Sequence, residues 1–256
     1  LTPGGTLSGT PLQTGGFVVT VTATDAGGCS GSAACSLAVD CAAIAVRPAL
    51  LPDERCCGHD LLWSGDRDNF LRLARLNVEA FRARGIRQVV TSCPECYWTL
   101  KRDYPAFGIE TGVQVTHLYE LLDGEISKGK VVFKKLGRAM TFQDSCRLSR
   151  FEGRPDLPRR LIERLQQDAF VEMPDHGRAS ICCGNSAWTG CDAYSKALQV
   201  KRLEQARKTG SDLLVTSCPK CQIHLKCTME DPFREDAIKM DMMDLTSVLV
   251  RTIRWE

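Results

Sequence analysis

Val90-Thr91-Ser92-Cys93-Pro94-Glu95-Cys96 is written a second time as Val215-Thr216-Ser217-Cys218-Pro219-Lys220-Cys221. Upstream of each stands another shared word, Cys56-Cys57-Gly58 and Cys182-Cys183-Gly184. Between Cys57 and Cys93 lie 35 residues, and between Cys183 and Cys218 lie 34. Leu100-Lys101 recurs as Leu225-Lys226, and Trp63, Gly65 and Asp66 recur as Trp188, Gly190 and Asp192. Agreement at this many positions marks a duplicated unit.

The flanks of these words have an α/β texture. From Asp66 to Arg84, Phe70, Leu73, Ala74, Val78 and Phe81 recur at helical spacing, and Gly85 suits the position just past a helix end. Ile86 to Thr91 reads as a buried strand. Pro94 fits the first turn of a short helix running from Glu95 to Tyr104. Asp192 to Lys208 repeats the helix, and Asp212 to Thr216 repeats the strand. Strands alternating with helices predict mostly parallel sheets covered on both faces. In such sheets the loops after strands gather at one edge, so thiols distant in sequence would meet there. This places Cys-Cys-Gly after one strand region and Cys-Pro-x-Cys after another.

The chain has 256 residues, 43% hydrophobic and 25% charged, the balance of a globular protein with room for about two domains. It has no apolar run of the ~18 residues a spanning helix needs, and its first residues carry no charged-then-apolar signal pattern. A net charge of +2 gives no case for nucleic acid. The fourteen cysteines decide between a disulfide framework and metal ligands. Disulfide frameworks belong to small secreted domains that cannot build a core. The adjacent and Cys-x-x-Cys spacings here favour metal. A Cys-Pro-x-Cys pair at a helix start faces amides and the positive dipole end, which stabilises thiolates. Neighbouring cysteines diverge, so they suit a polynuclear cluster better than one tetrahedral ion. Four-cysteine zinc and redox thiols stay open on spacing alone. No phosphate-binding Gly-rich loop, Ser/His/Asp set or His-Glu-x-x-His is present.

Residues 1–52 differ in kind. They carry only Asp25, Asp40 and Arg47, and Gly, Thr and Ser dominate. Phe17 to Thr24 has the β-branched alternation of a strand, and Asp25-Ala26-Gly27-Gly28 reads as a turn. Leu7 to Pro11, Phe17 to Asp25 and Gly28 to Ser32 together resemble the closing strands of an immunoglobulin-like repeat of bacterial surface proteins. Cys41 to Pro52 looks like the opening of the next copy. The expected organisation is a β-rich leader, 1–52, followed by modules at 53–137 and 138–256. Cys29, Cys35 and Cys41 of the leader read as incidental thiols, and Cys191 and Cys227 as structural.

The repeated words, from Asp53 to about Asp244, resemble the cysteine-rich CCG family, which includes heterodisulfide reductase and glycolate oxidase iron–sulfur subunits. The family pattern is a lone Cys, then Cys-Cys-Gly, then Cys-Pro-x-Cys. Gln143-Asp144-Ser145-Cys146-Arg147-Leu148 resembles the family's Asp-Pro-Cys-His-Leu segment. The resemblance implies an iron–sulfur cluster of [4Fe-4S] type, possible non-cubane forms included, on Cys146, Cys182, Cys183, Cys218 and Cys221. A second metal site would use Cys56, Cys57, Cys93 and Cys96, with zinc as the alternative occupant. It further implies an oxidoreductase subunit that reduces a small disulfide or relays electrons from a flavin or iron–sulfur partner. The expected place is the cytoplasm or, through a partner, the inner membrane's face. Position 20, where the first copy's lead cysteine would fall, is Thr20, so the first module is expected to be N-terminally truncated and its sheet to lack a strand. The charge break near residue 53 coincides with that loss and predicts a chimeric chain. His59, His117, His176 and His224 are expected at the surface or at caps, and Trp63 and Trp188 in the core. The arginines beside Cys146 are expected on a solvated helix end or at a docking site for an anion.

Overall fold

Two sheets of unequal size carry the two copies of the repeated phrase. The computed structural model describes residues 51, 54–129, 131–165, 169–184, 192–232 and 238–254, together with the strand backbones of 16–24 and 30–38. Cys29, Cys41, Cys191, Trp188 and the turn at 25–28 lie outside the described residues. In the leader, β1 (Gly16–Thr24) and β2 (Ser30–Ala38) pair antiparallel, in register from Gly16 opposite Ala38 to Thr24 opposite Ser30.

The first module contains α1 (His59–Ser64), α2 (Arg67–Ala83), β3 (Gln88–Thr91), α3 (Pro94–Trp98), a π-helical turn at Thr99–Asp103, α4 (Tyr104–Ala106), β4 (Gln114–His117) and α5 (Leu118–Ile126). The predicted helix from Asp66 starts where the Asp66 carboxylate accepts the Asn69 N–H, leaving Asp66 as its cap. Its apolar stripe of Phe70, Ala74, Val78 and Phe81 is buried against Leu100 and Tyr104. Gly85 adopts φ 60 beyond the helix end, as expected. β3 and β4 form a two-stranded parallel sheet.

The second module contains β5 (Ala139–Gln143), a π-helical turn at Arg147–Phe151, α6 (Asp156–Arg164), β6 (Ala169–Phe170), a 3-10 turn at Gly177–Ala179, α7 (Ala193–Lys208), β7 (Leu213–Thr216), α8 (Pro219–Met229), β8 (Asp241–Asp244) and α9 (Leu245–Thr252). Its strands form a four-stranded parallel sheet in the order β6-β5-β7-β8. Strands β7 and β8 are the counterparts of β3 and β4, and α9 is the counterpart of α5. Among the described residues the first sheet has nothing in the place of β5 and β6. The difference shows at equivalent residues: Val215 is fully buried, whereas Val90 is 40% exposed.

One core runs through both modules. Tyr97, Tyr119, Ile126 and Phe133 pack with Met140, Phe142, Leu161, Val215 and Leu249. At the rim of this seam Lys101 pairs with Glu152 at 2.5 Å, and Arg160 and Arg164 pair with Asp123 at 2.8 and 3.0 Å. Arg154 pairs with Glu120 there as well.

Candidate metal centre

Three of the sequence words end strands, as parallel-sheet topology demands. Cys93 follows β3, Cys146 follows β5 and Cys218 follows β7. Cys93 and Cys218 are the N-caps of α3 and α8, with Pro94 and Pro219 in the first turn. Cys96 and Cys221 therefore sit in the first turn of each helix, at its positive dipole end. The Cys-Cys-Gly words differ from expectation. Neither follows directly on a strand: Leu51 and 54–58 are irregular, and Cys182 follows the coil after the Gly177–Ala179 turn. Irregular chain can bring two consecutive cysteines to one site, which a strand, alternating its side chains, would not do.

Gly58 and Gly184 close these turns with φ 83 and 101. A Cβ at Gly184 would stand 2.6 Å from the Ser195 carbonyl oxygen, and one at Gly58 would stand 2.9 Å from Phe70 Cδ2. The glycines are required by a left-handed backbone and by the helix packed behind each turn.

The structure gathers the thiols in two groups, none of them in a disulfide. In the first, the Cys57 thiol lies well below the ordinary thiol value because Cys56 and Cys96 donate to it. Cys56 and Cys96 are correspondingly raised, and Cys93 reinforces the rise at Cys96. The second group repeats the pattern. Donation by Cys182 and Cys221 lowers the Cys183 thiol, and Cys182 and Cys221 are raised. The hydrogen bond from Cys221 pulls Cys218 down, yet burial and neighbouring negative charge leave it raised. Burial pushes Cys146 up, and the charges of Cys218 and Cys183 add to it. Cys146 is thus within electrostatic reach of Cys183 and Cys218. Cys218 also feels the charge of Cys93, across the two modules.

Residues missed by sequence reasoning complete the surroundings. His224 Nδ1 lies 3.5 Å from Cys183 Sγ, one helical turn after Cys221. His59 is buried beside the first group, with Nδ1 3.3 Å from Thr99 Oγ1 and Nε2 3.4 Å from Glu95 Oε1. Both histidines were expected at the surface or at caps. Their positions, two residues after Cys57 and three after Cys221, are the signal that could have found them. Between the groups, Lys220 Nζ contacts Glu95 Oε2 at 2.9 Å and also pairs with Asp60. Burial pushes the Glu95 carboxyl up, but His59 and Lys220 outweigh it and hold the group below the ordinary carboxylate value. Glu95 and Lys220 occupy the variable position of the two Cys-Pro-x-Cys words, with opposite charge.

The other histidines and aromatic residues also have definite places. His117 caps α5, as expected of a capping histidine, and is fully buried. His176 Nδ1 lies 2.9 Å from the Met173 carbonyl oxygen. Trp63 is not core: it is 44% exposed and stacks on Arg147. The arginines beside Cys146 are not one solvated patch. Arg159 pairs with Asp144 at 2.8 Å and Glu172 at 2.6 Å, and Arg160 pairs with Asp123. Asp144, buried, also accepts the Gly177 N–H at 2.7 Å, which fastens the Cys146 loop. Cys227 is exposed and lies 3.4 Å from Lys196 Nζ, away from both groups.

The donor set fits a polynuclear sulfur-ligated centre. Four thiolates around one zinc, each at about 2.3 Å, would lie within about 4 Å of one another. Among the described residues, no three cysteine sulfurs lie mutually within 4.8 Å; the single group that tight is His59, Asp60 and Glu95, already occupied by the Lys220 ammonium.

Known proteins are similar to this chain. Residues 39–101 and 140–226 match the model of the CCG cysteine-rich domain, the first segment beginning within the charge-poor stretch. The chain is 31% identical over 198 residues to a subunit of the fumarate reductase (CoM/CoB) of Methanothermobacter marburgensis, covering 76% of this chain and 39% of that protein. It is 33% identical over 180 residues to a subunit of the dihydromethanophenazine:CoB–CoM heterodisulfide reductase of Methanosarcina acetivorans, covering 68% and 44%. It is 28% identical over 207 residues to an EtfAB:quinone oxidoreductase of Syntrophomonas wolfei, covering 77% and 28%. The chain spans about half or less of the length of these relatives. The two matched segments take in more than half of its residues and both pairs of cysteine words, and the chain belongs to the CCG cysteine-rich domain family.

Proposed function

We propose that the protein is an iron–sulfur electron-transfer subunit of a heterodisulfide-reductase-like oxidoreductase. The observation that carries this reading is the linking of the Cys-Cys-Gly and Cys-Pro-x-Cys thiols into one hydrogen-bonded set in each module, with Cys146 within electrostatic reach of the second. Cys146, Cys182, Cys183, Cys218 and Cys221 would hold a cluster of [4Fe-4S] type, and Cys56, Cys57, Cys93 and Cys96 a second metal centre. Such a group, when bound, supplies one-electron transfer. The chain's own part is to bring thiolates to helix starts, screen them with apolar packing and oppose their charge with buried cations. The names of the relatives support the same class: reductase subunits and a quinone oxidoreductase.

The reading includes a partner subunit, carrying flavin or iron–sulfur, as electron donor, and a small disulfide or a further carrier as acceptor. Among the described residues no helix is long and apolar enough to cross a membrane. A cytoplasmic setting, where thiols stay reduced, suits the cysteine half. Modules at 53–137 and 138–256, behind a leader at 1–52, are the corresponding division of the chain.

Anaerobic purification followed by iron, sulfide and zinc analysis and electron paramagnetic resonance tests the reading. Iron with acid-labile sulfide is expected, and zinc in their place would remove the redox role. Cys183→Ser should abolish the signal of the five-thiol centre, whereas Cys227→Ser should leave it intact. Equal loss in both would void the ligand assignment.

A further inference from the structure

Arg147 follows Cys146 directly and is the one arginine of its neighbourhood sealed from solvent, at 3% exposure. Its guanidinium is clamped between two rings, with Cζ 3.9 Å from the Trp63 ring centre and 4.2 Å from that of Phe151. Trp98 packs edge-on against Phe151 at 5.2 Å and closes the far side. The wall therefore comes from both modules: Trp63 and Trp98 from the first, Phe151 from the second.

Among the described residues, Arg147 Nε and Nη1 are buried without a hydrogen-bond partner. An unpaired buried donor costs about 1–3 kcal/mol, more when it is charged. The acidic groups within electrostatic reach, Glu95 and Asp103, are committed elsewhere. Glu95 serves Lys220, and Asp103 accepts from Trp98 Nε1 and Thr99 Oγ1, both at 3.0 Å. The remaining groups that Arg147 senses are Cys146 and Cys218, two of the proposed ligands of the second centre. The two nitrogens are closed to solvent. An acceptor resident in the site has none of these objections.

We propose that Arg147 donates from its two unpaired nitrogens, Nε and Nη1, to the sulfur-ligated centre of the second module and raises its reduction potential. The inference rests on the iron–sulfur reading and deepens it. A fixed cation beside an anionic centre favours the state with the extra electron, and hydrogen bonds to sulfur act in the same direction. Trp63 and Phe151 hold the guanidinium in place by cation–π contact and keep water from screening it.

The test is a potentiometric titration followed by electron paramagnetic resonance on the full chain, comparing wild type with Arg147→Gln, Arg147→Lys and the exposed neighbour Arg150→Gln. Arg147→Gln should keep its iron and lower the ratio of reduced to oxidised centre at fixed potential at least tenfold, a 59 mV shift for a one-electron couple. Arg147→Lys should stay within threefold of wild type, and Arg150→Gln should coincide with it. A loaded Arg147→Gln with an unmoved midpoint, or an equal shift in Arg150→Gln, overturns the proposal. Should Arg147→Gln lose its iron, Arg147→Lys decides. Loaded with a near-native midpoint, it supports the role of charge; empty too, it shows that packing alone was lost and overturns the proposal. A wild-type protein without iron is a separate result, because it defeats the iron–sulfur reading itself.

Discussion

His117 shows how much one buried side chain can impose on the pH dependence of the fold. Its Nδ1 accepts the Tyr119 N–H at 3.2 Å, and the Glu120 carboxylate accepts the His117 N–H at 2.9 Å, a reciprocal cap at the start of α5. Burial lowers the imidazole from 6.5 to about 4, with Glu120 pulling it up and Arg154 pulling it down. Between pH 6.5 and 4 the unfolded chain therefore takes up a proton that the folded chain refuses. Stability is lost as pH falls through this window, by about 3 kcal/mol at about 1.4 kcal/mol per unit. His117→Asn keeps a capping oxygen and lacks the titration. Its urea midpoint should change less than that of wild type between pH 7 and 4.5. Parallel curves for the two proteins would show that His117 is not the source.

At the scale of elements, helices α3 and α8 are joined by a pair that neither carries alone. Glu95 and Lys220 are both buried, 8% and 7% exposed, so breaking their contact is expensive. Lys220→Met leaves Glu95 without its ammonium and should cost about 3–5 kcal/mol in chemical unfolding. The exchange Glu95→Lys with Lys220→Glu should recover part of that loss, less the repulsion between Asp60 and the new carboxylate. No recovery would mean that the two groups act independently. The repeat alignment places this pair in view, since the two words differ only at that position. The π-helical turns at Thr99–Asp103 and Arg147–Phe151 leave no such trace. Phe151 of the second turn meets Arg147 of the same turn and Trp98, which directly precedes the first.

Over the whole molecule, legibility followed locality. Helix α2, strand β7 and the proline-started helices were visible because periodicity and caps are written within a few residues. The placement of Cys146 and Cys218 just after β5 and β7 followed from the repeat together with the rule that parallel strands end at one edge. The thinner first sheet followed from Thr20 standing where a cysteine was due. The buried places of His59 and His224, the ion-paired state of Arg159 and Arg160, and the exposure of Trp63 were not legible. Each is decided by a partner 13 to 84 residues away along the chain or by the shared seam, and charge or aromaticity alone does not say which side of that seam a residue takes.

Val90 and Val215 are the same letter in the same phrase, yet only the second is enclosed. Strand β3 has β4 on one flank, and its other flank meets no strand among the described residues. A strand flank without a neighbouring strand among the described residues, beside an exposed valine, invites annealing with another polypeptide. Concentrated solutions should therefore scatter light on warming before the chain unfolds, and Val90→Lys should raise the onset temperature. A mutant as turbid as its parent would locate the stickiness elsewhere.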